Sequence, residues 1–393
     1  MLHSFRFQNF YSFREDTEVS LVASERLRGS SLVAKREGFP VLSKALAVMG
    51  ANGSGKTNAI KALAFLHWFI GHSFRAEPDE PIPVEPHFFA ENEPSEFELL
   101  FDTDGTIYRY ELTLTRQRVL REALYHKTSR AFTNLFLRDW VGGEYAYKQQ
   151  GFGLNAREAK KARLNASLIS TAAQYDVPLA RRFACLPVHT NVDVLGRIHA
   201  SRSDVLAAAD RFLHSSTAQQ RMEQLLRRWD LGLAAVEIQQ KTLTLDDGKE
   251  RDVAIAYGVH VDGSQQRTLE LFQESSGTQR AFVLLSELLP VLDSGGLALI
   301  DEMESDLHPH MLTEVLNLFL NPSTNPKDAQ IVFTTHTAEV LSQLQKSQVA
   351  LVEKDAHCKS ALWRLSDVKG IRSDDNLYAK YMAGAYGGLP LLQ

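Results

Sequence analysis

Eight consecutive residues, Gly50-Ala51-Asn52-Gly53-Ser54-Gly55-Lys56-Thr57, keep the spacing G-x-x-x-x-G-K-[ST]. Glycines at these positions let the backbone bend until its N–H groups converge on an anion. A lysine directly after the last glycine can reach the outer two phosphates of a nucleotide, and a threonine hydroxyl beside it can bind magnesium. Gly50, Asn52, Gly53, Ser54, Gly55, Lys56 and Thr57 are therefore candidate residues for a nucleoside triphosphate, with Thr57 also a metal ligand. Far downstream, the apolar run Leu297-Ala298-Leu299-Ile300 ends in Asp301-Glu302. Two carboxylates at the end of a buried strand are costly unless a cation offsets them. Asp301 is placed to hold the magnesium shell, and Glu302 to take a proton from an attacking water. A second apolar run, Ile331-Val332-Phe333-Thr334-Thr335, ends in His336. A lone histidine is usually structural; His336, at the end of the strand after the Asp-Glu pair, is a candidate catalytic residue of the same site.

Glu274-Ser275-Ser276-Gly277-Thr278-Gln279 precedes a strongly apolar helical pattern, Arg280 to Leu292. Ser276 with Gln279 three residues later reads as a capping box. The same Ser-Gly turn at a helix N-terminus is an anion site. Both readings use one geometry.

These residues need elements to hold them. Ala45-Leu46-Ala47-Val48-Met49 reads as a buried strand before the glycine-rich loop, and Asn58 to Phe69 as a helix after it, stopping at Gly71. His3 to Phe7 and Glu18 to Val22 read as strands, and Ala76 to Pro94 as a Pro- and acid-rich connector. Phe97 to Phe101 and Thr106 to Thr115 alternate around Asp104-Gly105, a hairpin signal, and residues 119–150 continue in that style. Residues 155–228 turn helical. Residues 232–262 return to strands with a turn at Asp246-Asp247-Gly248. The last third alternates helices with buried strands at 297–300, 330–333 and 349–352, the style of a largely parallel sheet. Asp301, Glu302, His336 and the loop would then share the C-terminal edge of one sheet, where ligands of such sheets sit. The expected division is a lobe over 1–154 with the loop and a β subdomain, a helical insertion over 155–230, and a second lobe over 231–393.

The 393 residues are 44% hydrophobic and 23% charged, enough for a large core. A net charge of −5 gives no global sign of nucleic-acid binding. Residues 115–164 do carry 11 Lys/Arg against 4 Asp/Glu, which reads equally as a solvated face or a phosphate-binding surface. Two cysteines without metal spacing, no signal-peptide layout and no long apolar run predict a cytoplasmic protein with no membrane partner.

The order of glycine-rich loop, Ser-Ser-Gly-Thr-Gln, Asp-Glu strand and strand-end histidine resembles ATP-binding-cassette (ABC) ATPases. Within them it is similar to the branch of SMC, repair and OLD-type ATPases. It resembles more closely the RloA/AbiL-type AAA/ABC-like ATPases of bacterial abortive-infection systems. Phe7-Gln8-Asn9-Phe10-Tyr11-Ser12-Phe13, Pro94-Ser95-Glu96-Phe97-Glu98, Leu307-His308-Pro309, Val352-Glu353-Lys354-Asp355 and the closing run Tyr381 to Pro390 carry that likeness. It departs from the older members at Ser275 and Thr278, and no glutamine after the first helix stands out as a Q-loop residue.

The resemblance implies an α/β fold: a P-loop ATPase core with an antiparallel β subdomain and a helical insertion. It implies ATP and Mg2+ bound between two copies, Ser276, Gly277 and Gln279 of one facing the loop of the other. It further implies a homodimer or higher homo-oligomer controlling a nuclease- or toxin-like effector in anti-phage defence. Alternatives are an OLD-type nuclease-associated ATPase and a DNA-binding SMC- or repair-like ATPase. Residues 337–393 are few for a nuclease domain of roughly 100 residues, and no heptad array supports a coiled-coil arm. A transporter motor ranks last.

Overall fold

Alternation in the first 150 residues builds one sheet. A computed structural model describes residues 1–198, 201–244, 250–372 and 374–389. The expected turn at Asp246-Asp247-Gly248, and Pro390, lie outside the described residues. The chain starts with the antiparallel pair β1 (Leu2–Gln8) and β2 (Thr17–Ser20). Next come β3 (Ala45–Gly50), buried throughout, and α1 (Lys56–His72). A meander follows: β4 (Ser95–Thr103), β5 (Thr106–Leu114), β6 (Val119–Lys127), β7 (Phe132–Val141) and β8 (Glu144–Gln149). Phe97, Leu99 and Phe101 of β4 and Tyr108, Tyr110 and Leu112 of β5 are buried, the period-two pattern of a sheet with one face on the core. Asp104 and Gly105 turn the hairpin with φ of 47° and 78°, the left-handed pair whose twist matches the flanking strands. The antiparallel sheet runs β2-β1-β4-β5-β6-β7-β8.

Residues 155–230 hold α2 (Ala156–Ala159), α3 (Leu168–Gln174), α4 (Pro178–Ala184), α5 (Arg202–Leu213) and α6 (Ser216–Arg228). They also hold β9 (Val188–Thr190), where the sequence predicts only helix. Three residues are too few to show a period. β10 (Ala235–Thr244), β11 (Glu250–Asp262) and β12 (Gln265–Glu270) form a separate antiparallel sheet.

The last third supplies α7 (Ser276–Ser294), β13 (Leu297–Ile300), α8 (Pro309–Leu320), β14 (Gln330–Thr334), β15 (Val349–Lys354), β16 (Ser360–Arg364) and α9 (Leu377–Met382). Its sheet runs β16-β15-β3-β14-β13-β9. Every neighbouring pair is parallel except β15 with β16. β3, from the first fifty residues, thus lies between strands from the far end of the chain. Both its faces are covered. Leu46 and Val48 pack with α1 and the antiparallel sheet, and Ala45, Ala47 and Met49 pack with α7 and α8. Two covered faces explain why β3 reads as an unbroken apolar run.

α1 does not stop at Gly71 but passes through it to His72. A Cβ at Gly71 would stand 3.3 Å from the carbonyl oxygen of Ala184 at the end of α4. The glycine serves close helix contact, not termination.

The basic residues of 115–164 divide between internal pairs and the surface, where Lys127, Arg130, Lys148, Arg157 and Lys160 are exposed. Arg138 is fully buried against Glu122. Arg116 pairs with Glu85, Arg121 with Asp139 and Lys161 with Glu158. Arg163 donates to the carbonyls of Phe74 and Ala76, and Arg118 lies over the Trp140 ring. These contacts engage six of the eleven cations. Among the described residues no helix is long and apolar enough to cross a membrane.

Candidate functional site

The glycine-rich loop leaves β3 and enters α1 at Lys56, with Gly55 at φ 112°. Two of its glycines are forced by neighbours. A Cβ on Gly50 would collide with the Val352 carbonyl of β15, and one on Gly55 would lie 2.8 Å from Ser12 Oγ. Ser360 Oγ donates to the Ser54 carbonyl at 2.5 Å and meets Ser12 Oγ at 2.8 Å. Asn58 Nδ2 donates to Ser12 Oγ at 2.9 Å. The loop is thus braced from β16 and from the turn after β1. Inside it, Lys56 Nζ donates to the carbonyls of Gly50 and Ala51, both at 3.0 Å. Burial lowers the Lys56 pKa, and Asp301, Glu304 and Glu302 oppose that shift.

β3, β14 and β13 are parallel neighbours, so their C-terminal ends meet at one edge. There the Thr57 hydroxyl donates to both Asp301 carboxylate oxygens, at 2.9 and 3.1 Å. Thr334 Oγ1 donates to Asp301 Oδ1 at 2.6 Å and accepts the Glu302 N–H at 2.7 Å. Asn191, directly after β9, accepts the Asp301 N–H at 2.7 Å and donates to the Asp301 carbonyl at 3.0 Å. Asp301 is buried; Glu302 is half-buried and sits at φ 47°. The Glu302 carboxylate pairs with Arg197. His336 is exposed two residues beyond β14, its backbone N–H held by the Glu304 carboxylate.

A cleft of about 270 Å³ joins Asn52, Gly53, Gly55, Lys56 and Thr57 to Glu302 and His336, and adds Lys354. An ammonium, a ring of backbone N–H groups and a hydroxyl touching a carboxylate suit a polyphosphate with a hard divalent cation. Magnesium takes few protein oxygens and completes its shell from phosphates and water. Thr57 and Asp301 fit that demand.

Ser276, Gly277 and Gln279 do not line this cleft. They form the first turn of α7, where the capping differs from expectation. Ser275, not Ser276, is the cap: its Oγ accepts the Thr278 N–H at 3.1 Å. Gln279 turns back on its own loop, donating to the carbonyls of Phe272 and Glu274 at 3.1 and 2.8 Å. The register moves by one because Ser275 Oγ reaches Thr278 three residues on. Ser276 is left exposed at the helix N-terminus. Gly277 abuts the loop after Glu302; a Cβ there would come within 2.9 Å of the Asp306 carbonyl. One turn on, Arg280 is buried, with Nε and Nη2 lacking hydrogen-bond partners. Burial lowers its pKa.

Asn191, Arg197, Thr334 and Lys354 escape the motif reading. Thr334 and Lys354 lie inside segments singled out for their likeness, so only their roles are missed. Asn191 and Arg197 follow the three-residue β9 and carry no local signal. A family model described as "AAA domain, putative AbiEii toxin, Type IV TA system" matches residues 46–342, most of the chain. A search of curated proteins finds no match.

Proposed function

Since the chain belongs to this AAA-domain family, we propose that it binds ATP with Mg2+ and hydrolyses it between two copies of itself. The observation that carries this is the contact of Thr57 with Asp301, which brings the glycine-rich loop and the Asp-Glu strand end together across 244 residues. In this reading the loop N–H groups and Lys56 bind the outer phosphates. Thr57 and Asp301 would hold a magnesium ion, which would withdraw charge from the phosphate oxygens. Glu302 takes the proton of the water that attacks the terminal phosphorus; the P–O bond to ADP breaks and phosphate leaves. His336, across the cleft, orients that water. Ser276 and Gly277 of a second copy close over the terminal phosphate from the other side.

The family's description supports a two-component setting. Its extension is that the ATPase cycle restrains or releases an effector from a neighbouring gene in anti-phage defence. The loop and Glu302 are tested first. Lys56→Ala should weaken ATP binding by about 3 kcal/mol, roughly a hundredfold, in equilibrium dialysis. Glu302→Gln should bind ATP normally and release no phosphate. Wild-type turnover by Glu302→Gln would remove Glu302 as the base.

A further inference from the structure

Arg197 lies outside every motif, yet its Nη1 pairs with Glu302 Oε2. The Arg197 side chain is 16% exposed and that of Glu302 43%. One end of the pair is therefore anchored in protein and the other opens into the cleft. Arg197 Nε is buried without a hydrogen-bond partner, so the Glu302 carboxylate is the main group that satisfies this guanidinium. The segment carrying Arg197 is built, not loose. Asn191 holds both backbone groups of Asp301. Tyr11 donates its hydroxyl to the Val194 carbonyl at 2.7 Å. Asp193 Oδ1 accepts the N–H groups of Leu195 and Gly196 at 2.7 and 2.8 Å. A backbone bridge joins Val192 to Arg197. Glu302 itself stands at φ 47°, a conformation uncommon outside glycine that persists where surrounding contacts hold it.

We propose that Arg197 is a latch on Glu302: in the single chain it occupies the carboxylate needed as proton acceptor, and it must release before hydrolysis. This rests on reading Glu302 as the general base. The link to the second copy is geometric: Gly277, in the first turn of α7, abuts the loop that follows Glu302, where a Cβ would come within 2.9 Å of the Asp306 carbonyl. In this proposal a phosphate docking at Ser276 and Gly277 shifts that loop and draws the Glu302 carboxylate off Arg197. Hydrolysis is then coupled to arrival of the second copy, which keeps the lone chain from wasting ATP.

Turnover and ATP affinity of full-length variants test the latch. The pair is open to water at one end, so its release is expected to raise kcat of Arg197→Gln by about three- to five-fold with KM unchanged. Arg197→Lys keeps the charge and should stay near the wild-type rate. Asp193→Ala loosens the turn without touching either partner and should also accelerate, which decides the matter if Arg197→Gln fails to fold. Glu302→Gln should be inactive alone and in combination with Arg197→Gln. If Glu302→Gln is inactive while Arg197→Gln and Asp193→Ala are no faster than wild type, the latch is wrong and the base assignment stands. If Glu302→Gln hydrolyses ATP normally, the base assignment fails and takes the latch with it.

Discussion

Thr334 does two jobs with one oxygen. Its hydroxyl proton goes to Asp301 Oδ1 and its lone pair takes the Glu302 N–H. It is fully buried, so neither partner can turn to water instead. Thr334→Val keeps the shape and removes both bonds. A buried group left unsatisfied costs about 1–3 kcal/mol, and here the Asp301 carboxylate and the Glu302 backbone are both affected. The expected result is a lower unfolding midpoint together with a higher Mg2+ requirement for ATP turnover. A variant with lowered stability but an unchanged Mg2+ titration would show that Thr334 only supports the fold. At this scale the sequence is most legible where spacing is fixed by chemistry. Eight contiguous residues must wrap one phosphate chain, so the loop can be read directly. The residues that orient Asp301 obey no such spacing. Asn191 and Thr334 are 143 residues apart and meet only because β9 and β14 flank β13.

At the scale of elements, two features decide how α1 and the antiparallel sheet are held. The first is Glu122 on β6, fully buried. It accepts from Tyr110 Oη at 2.9 Å, from Ser167 Oγ at 2.7 Å and from the Leu168 N–H, and it pairs with Arg138 of β7. It thereby fixes the start of α3 to the sheet. Glu122→Ala strands a buried guanidinium, a loss of about 3–5 kcal/mol, expected in urea unfolding. Replacing both partners, Glu122→Leu with Arg138→Met, should recover most of that loss. Recovery would show that the stranded charge, not the lost pair, carries the cost. The second feature is His67, mostly buried on α1, whose pKa is pushed down to about 4, chiefly by burial and secondarily by His72. The unfolded chain binds a proton here near pH 6.5, so between about pH 6.5 and 4 it binds more protons than the folded chain. Stability is then complete above that window and falls as pH drops through it, by about 2 kcal/mol at pH 5. His67→Gln should remove this part of the pH dependence while leaving neutral-pH stability less affected. Neither Glu122 nor the course of α1 is readable beforehand: Glu122 lies in a run of three consecutive buried residues where β6 breaks its alternation, and Gly71 resembles a stop signal although α1 runs through it. Local pattern reports period, whereas close approach and buried pairing depend on a neighbour dozens of residues away.

At the scale of the molecule, the strand order gathers one group of candidate residues at the cleft and leaves another apart from it. β3 brings Lys56 and Thr57, β13 brings Asp301 and Glu302, and β14 brings His336 to one edge. Ser276 and Gly277 belong to α7, and they are absent from that cleft. Ser276 is exposed at the N-terminus of a 19-residue helix, with Ser275 already serving as its cap. An uncapped N–H pair and a positive helix end favour an anion supplied from outside. In the proposed dimer a second copy presenting its own bound nucleotide would supply one, and the arrangement would repeat by symmetry. Glu302→Gln, which should retain ATP, is the background in which that assembly lasts long enough to weigh. With ATP and Mg2+ its mass by light scattering should rise from the 44.1 kDa of one chain to twice that value. Adding Ser276→Arg places a long cation where a phosphate should dock against backbone N–H groups. The double variant should still bind ATP, because Lys56, Thr57 and Asp301 are untouched, yet remain at the mass of one chain. If it doubles in mass as readily as Glu302→Gln alone, α7 does not face the nucleotide of a partner. The chain would then have to close its cleft by some other surface.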